Sequence, residues 1–183
     1  MHMVILGIVG LFMLLLYDLA SLRQLPKRSA LAVLGYGIHT VAIAAAACAA
    51  GKIVLPLWCG ALGWLLFGSG AAWLCYCLFL YKPLASTYKA DGELTLTTAG
   101  PYAFSRHPGF WGHTFLLAGL FLATESALLL KGGFFWILAN FFYIVLQDRW
   151  LFPQLFRGYS RYRQTVPMLF PSRTSLQRFW LTK

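Results

Sequence analysis

Between Met3 and Gln147 the chain is a succession of apolar runs with short polar breaks, and this constrains its fold more than any other feature. The runs cover residues 3–20, 30–50, about 57–81, 109–124 and 133–147. Roughly 17–25 consecutive apolar residues are what a helix needs to cross a bilayer, where every backbone N–H and C=O has to be paired inside the segment. The last two runs are short for full spans and read together as a helical hairpin. Only 11% of residues are charged, against about 25% in a typical soluble domain. The expectation is an all-α integral membrane protein with about five transmembrane helices, forming a single membrane domain over 1–183. Three N-terminal spans fall in 1–81, a polar motif region with two spans in 82–171, and an interfacial basic tail in 172–183.

Hydrophobic residues make up 60% of the chain and the mean hydropathy is +0.68, yet the formal net charge is +10. A basic balance can signal nucleic acid, but the placement of the charges argues against it. Of the 15 Lys and Arg residues, only Lys52 and Lys131 fall on one side of a five-span arrangement; all the others fall on the opposite side. That is the positive-inside pattern, and it predicts an external N-terminus and a cytoplasmic C-terminus. The first run has no basic n-region and no small-residue cleavage site, so it reads as an anchor rather than a removable signal. Small size and minimal loops suit a bacterial inner membrane. Cys48, Cys59, Cys75 and Cys77 lie in or beside apolar runs without metal-ligand spacing, so no metal site is expected. His39, within the second run, reads as a partner-bonded packing residue.

The sizeable polar stretch before the tail is 82–108. Asp91-Gly92 is a turn signal, and Glu93–Thr98 alternates polar and apolar residues as a short extended piece would. It leads into Gly100-Pro101-Tyr102 and Arg106-His107-Pro108, where Pro108 suits the first turn of a helix. Unpaired N–H groups at that helix start, with Arg106 and His107 beside them, form a seat for an anionic group. Gln147-Asp148-Arg149 follows the fifth run. A hairpin brings it next to the first cluster on the same membrane face. No Ser-His-Asp set, H-E-x-x-H, carboxylate pair or glycine-rich nucleotide loop is present. Cations and N–H donors for an anion, a carboxylate for hydroxyls or an amine, and stacking aromatics suit a zwitterionic cosubstrate better than hydrolysis.

The stretch Leu96–Gly112 resembles the G-P-Y-x-x-x-R-H-P-x-Y-x-G signature of the isoprenylcysteine carboxyl methyltransferase and phospholipid methyltransferase superfamily. Gln147-Asp148-x-x-Leu151, Tyr159-x-x-Tyr162 and Val166-Pro167 resemble that superfamily's E-E-x-x-L…Y-x-x-Y…V-P ending, with Gln147 in place of the first glutamate and Gly109-Phe110 in place of the residue and tyrosine after R-H-P. The resemblance implies a five-span membrane methyltransferase whose C-terminal half encloses S-adenosylmethionine at the cytosolic face, with a lipophilic substrate entering laterally between helices. Matched positions imply cofactor-binding roles for Gly100, Tyr102, Arg106, His107, Gly112, Gln147, Asp148, Tyr159 and Tyr162. The catalytic set would be Arg106, His107, Asp148 and Arg149, with an arginine able to clamp a substrate carboxylate. The methyl acceptor would be an isoprenylcysteine-type carboxylate or a lipid amine. Two alternatives share fragments of the pattern. Sterol-reductase-like enzymes carry an R-H-P motif and bind NADPH, with Asn where this chain has Gly109. The non-enzymatic NnrU family has an H-P-x-x-W-G motif similar to His107–Gly112.

Overall fold

The computed structural model describes residues 1–81 and 96–181. The Asp91-Gly92 turn and the first half of the Glu93–Thr98 stretch, Glu93 to Thr95, lie outside them. The described residues form α1 (His2–Leu22), α2 (Ser29–Ala47), α3 (Leu57–Cys75), α4 (Pro101–Phe104), α5 (Pro108–Thr124), α6 (Ala127–Leu146), α7 (Phe152–Leu155), α8 (Tyr159–Thr165) and α9 (Arg173–Leu181). Two π-helical turns, Tyr76–Leu80 and Gln147–Leu151, prolong α3 and α6. Among the described residues there is no strand, only an isolated bridge between Lys52 and Ser126.

Four helical stretches are long and apolar enough to cross a membrane: His2–Leu22, Ser29–Ala47, Leu57–Leu80 and Ala127–Leu155. α5, with 17 residues, reaches about 26 Å at 1.5 Å per residue, slightly under the hydrocarbon thickness of about 30 Å. It is held against α3 by backbone contact. A Cβ on Gly112 would lie 2.9 Å from Leu74 N, one on Gly70 2.8 Å from Gly112 O, and one on Gly119 would strike Phe67 N. The pairing of 63 with 119–123 and 70 with 112–116 makes the two helices antiparallel. In lipid, where apolar surface gains nothing by leaving its solvent, such close packing of small residues is what joins helices.

The fifth helix starts earlier than its apolar run. Gly132-Gly133 reads as a break, yet both glycines lie inside α6. The connection from α5 is only Glu125, in the left-handed region at φ 56°, and Ser126, whose hydroxyl accepts from Leu129 N as an N-cap. The missing side chain at Gly132 leaves room for Trp136, which is fully buried and donates its indole N–H to Val4 O of α1 at 2.9 Å. Around Trp136 gather Ala42, Ala46, Leu117 and Leu129, the centre of the bundle.

Candidate active site

Gly100 sits at φ 57°, with the Tyr81 ring where a Cβ would stand, so the chain turns there as only glycine does comfortably. Pro101 then opens the single turn of α4, and Ser105 is extended. Arg106 and His107 precede α5, where Pro108 occupies the first position and His107 the N-cap. Their own N–H groups fall outside any helix and need acceptors. The segment after α8 supplies them: Arg106 N donates to Pro167 O at 3.0 Å and His107 N to Met168 O at 3.2 Å. Ser105 Oγ adds a bond to Met168 O, and Trp111 Nε1 one to Leu169 O. The C-terminal segment thereby splints the two residues in place.

Asp148 is the hub of the site. It is 2% exposed and stands in the π turn that prolongs α6. Its Oδ1 accepts from the Tyr159 hydroxyl at 2.7 Å and lies 3.1 Å from Arg106 Nε and 3.5 Å from His107 Nε2. Arg163 approaches Oδ2 at 3.8 Å from a half-exposed position. Arg106 also donates through Nη1 to Arg163 O. A buried carboxylate is tolerated when charge and hydrogen bonds both reach it, as here. Yet Arg106 Nε and His107 Nε2 are buried without a well-formed hydrogen bond to any partner. They sit within ion-pair range of Asp148 while keeping donor capacity.

The surroundings hold this cluster rigid. The His107 ring stacks on Phe152, centroids 5.5 Å apart and 14° from parallel. Burial holds the imidazole below its ordinary value, opposed by Asp148 and assisted by the Arg106 charge. The Tyr162 hydroxyl donates to Tyr102 O at 2.6 Å, and the Tyr102 hydroxyl to Cys77 O at 3.2 Å. Burial pushes the phenols of Tyr102, Tyr159 and Tyr162 up, so all three act as neutral donors.

Arg106 and His107 line one end of an interior cavity of about 290 Å³. Its wall is largely apolar, with Leu74, Leu78, Phe110 and Ile144 among the residues lining it. The resemblance implies a pocket built by the C-terminal half, but α1 and α2 supply one side through Leu11, Leu14, Tyr36, His39, Thr40 and Ile43. At the membrane-depth end, His39 Nδ1 meets Gly7 O at 2.9 Å, His39 Nε2 meets His113 Nε2 at 2.9 Å, and Asn140 Nδ2 meets His113 Nδ1 at 3.2 Å. Tyr143 Oη and Gln147 Nε2, which also line the cavity, both donate to Asp18 Oδ2 at 2.6 and 2.8 Å.

Thus Arg106, His107, Asp148 and Tyr159 come together in one cluster, with Tyr102 and Tyr162 buttressing it. Gln147 faces Asp18 rather than the cluster. Gly112 is spent on the α3–α5 contact and Gly100 on its turn. Arg149 is exposed and does not line the cavity. Sequence reasoning passed over Asp18, His113, Asn140, Phe152 and Arg163. For two of these a signal was present: Asn140 is a lone amide in an apolar run, and Asp18 closes the first run, both expensive in lipid unless used.

Helices of membrane-spanning length around a largely apolar cavity, with a buried cation–carboxylate cluster at one end, define a multi-pass membrane protein. The profile of the phospholipid methyltransferase family matches residues 58–157, more than half of the chain, and the protein belongs to that family. The matched segment carries α3 to α7 and with them Arg106, His107 and Asp148. No curated protein and no solved structure matches the chain.

Proposed function

We propose that the protein transfers the methyl group of S-adenosylmethionine to a lipophilic or amphiphilic substrate at the cytoplasmic face of a bacterial inner membrane, with its N-terminus outside. Family membership supports a methyltransferase acting on lipid-like molecules, and the buried Arg106 Nε and His107 Nε2, held at Asp148 without a well-formed hydrogen bond, carry the cofactor reading. Two buried donors that face Asp148 without a well-formed hydrogen bond, at the end of a largely apolar cavity, suit a ligand with an anionic end.

The residues that would hold the cofactor are Arg106 and His107, at its methionyl carboxylate, and Asp148, toward its amine or ribose hydroxyls. Tyr102, Tyr159 and Tyr162 keep these groups in position, and Gly100 admits the turn that presents them. When bound, the cofactor supplies an electrophilic methyl on a sulfonium, which leaves as a neutral thioether. The chain's part is to align the two partners in a water-poor space, where proximity and orientation lower the barrier without a dedicated nucleophile of the protein's own. Of the two arginines expected in the catalytic set, only Arg106 lines the cavity, which supports its contact with a bound molecule over that of Arg149. The test is transfer of labelled methyl from S-adenosylmethionine into an organic-extractable product by the purified protein. Transfer that is lost in Arg106→Ala and His107→Ala is expected; no transfer to any lipid extract by folded protein overturns the proposal.

A further inference from the structure

Asp148 and Asp18 are both buried carboxylates, but their surroundings are opposite. Asp148 has Arg106, His107 and Arg163 within ion-pair range. Asp18, near the end of α1, is 7% exposed and has no Lys, Arg or His within that range among the described residues. Its partners are neutral donors, the Tyr143 hydroxyl and the Gln147 amide, both on Oδ2. An anion held out of water without a cation is costly, and taking up a proton removes that cost. Two carboxylates in environments this different divide the work between a fixed charge and a proton carrier.

Tyr143 and Gln147 line the cavity, and Asp18 stands behind them. The Tyr143 hydroxyl spends its one hydrogen on Asp18 at 2.6 Å, the distance of a charge-assisted O–H···O⁻ bond. Its oxygen is left to accept from a molecule in the cavity. The histidines on the cavity wall are engaged elsewhere. His107 stands beside the Arg106 charge, which disfavours a second positive charge there. His39 and His113 are bound to each other, to Gly7 O and to Asn140. Tyr36 of α2 and Tyr17 of α1 are the other titratable groups about the Tyr143 hydroxyl, and as phenols both are uncharged near neutral pH.

A nucleophile X–H that gains a methyl exchanges its X–H bond for an X–C bond. The methyl's former bonding pair leaves with its old partner, and one proton is left over. We propose that Tyr143 and Asp18 form the relay that takes this proton. It passes to Tyr143 Oη as the tyrosine's own proton passes to Asp18 Oδ2, so Tyr143 is unchanged and Asp18 ends neutral. Loss of that proton to water resets the carboxylate. Gln147 serves the relay by holding Asp18 with an N–H, where a glutamate would set a second anion against it. The transfer step rests on the methyltransferase reading above; uptake of a proton by Asp18 in the folded protein does not.

The experiment uses the full-length protein in detergent, with labelled S-adenosylmethionine and phosphatidylethanolamine in mixed micelles. Asp18→Asn and Tyr143→Phe should each lower kcat by about 100-fold, with KM for the lipid and S-adenosylhomocysteine affinity within threefold of wild type. The deficit of Asp18→Asn should shrink as pH rises, because hydroxide replaces the missing acceptor; a loss of structure would not be repaired that way. Tyr143→Phe removes a single hydroxyl and keeps the test readable if the Asp18 variant folds poorly. Infrared difference spectra of the protein without ligand, taken on acidification, give a second reading. They should show a carboxylic C=O stretch that is absent from Asp18→Asn and displaced in Tyr143→Phe. Wild-type kcat in both variants, a deficit unaltered by pH, or an Asp18 ionised at every pH at which the protein stays folded would overturn the proposal. No transfer by wild type to this lipid or to a total lipid extract sinks the methyltransferase reading instead, and the infrared band then decides alone whether the pair accepts a proton.

Discussion

Asp148→Ala would strand Arg106, whose side chain is only 8% exposed, beside a cavity with no other anion within ion-pair range among the described residues. Removing one member of a buried pair typically costs about 3–5 kcal/mol, most of it the uncompensated charge left behind. Tyr159→Phe deletes only the 2.7 Å bond to the same oxygen, and a hydrogen bond to a charged group is worth about 1.5–3 kcal/mol. Arg163→Ala removes a 3.8 Å contact from a side chain 45% exposed and should cost at most about 1 kcal/mol. The order Asp148, Tyr159, Arg163 can be read by denaturant titration in detergent, monitored by tryptophan fluorescence. The decisive variant is the double one, Arg106→Met with Asp148→Leu. Because no charge is then stranded, it should be less destabilised than the sum of the single variants by about 1–3 kcal/mol, while failing to bind cofactor. Additive losses, or an Asp148→Ala variant as stable as wild type, would refute the view that burial of this pair organises the site.

Gly119→Leu should abolish the α3–α5 contact, since even a Cβ there collides with Phe67 N and comes within 2.7 Å of Gly63 O; size-exclusion chromatography should show aggregation. His107 titrates below its ordinary value of 6.5 because it is buried. Between that value and its lower folded one the unfolded chain binds more protons, so this contribution to stability is present above about pH 6.5 and lost as pH falls. Melting temperatures taken from pH 7.5 down to 5 should drop less steeply in His107→Gln than in wild type; parallel curves would contradict the assignment. Arg149→Ala should leave S-adenosylhomocysteine affinity within twofold by calorimetry, because this side chain is exposed and outside the cavity.

How far the sequence reveals this molecule depends on the distance over which each feature acts. Apolar runs report helices directly, since in lipid no other isolated backbone arrangement satisfies its own polar groups. The meeting of Arg106 with Asp148 follows from joining α5 to α6 by a short turn. The start of α6 was obscured because glycine normally marks a break, while here Gly132 serves the packing of Trp136, a tertiary fact absent from the local pattern. The role of Asp18 was beyond reach for a related reason: its partner Gln147 lies 129 positions away. Gln147 in place of a carboxylate reads from sequence as a lost charge; in the structure it is the ligand of a carboxylate supplied by α1. The His39–His113 pair is similarly invisible until two helices are set side by side.

In the proposed function, Arg106 and His107 form an anion-accepting cofactor seat at the end of the cavity. Calorimetric titration of S-adenosylhomocysteine into the purified wild type and its His107→Ala variant, with NADPH and heme as comparators, addresses it most directly. Micromolar binding of S-adenosylhomocysteine alone is expected, weakened at least tenfold in the variant. Equal binding by both proteins, or binding of a comparator in its place, would contradict it.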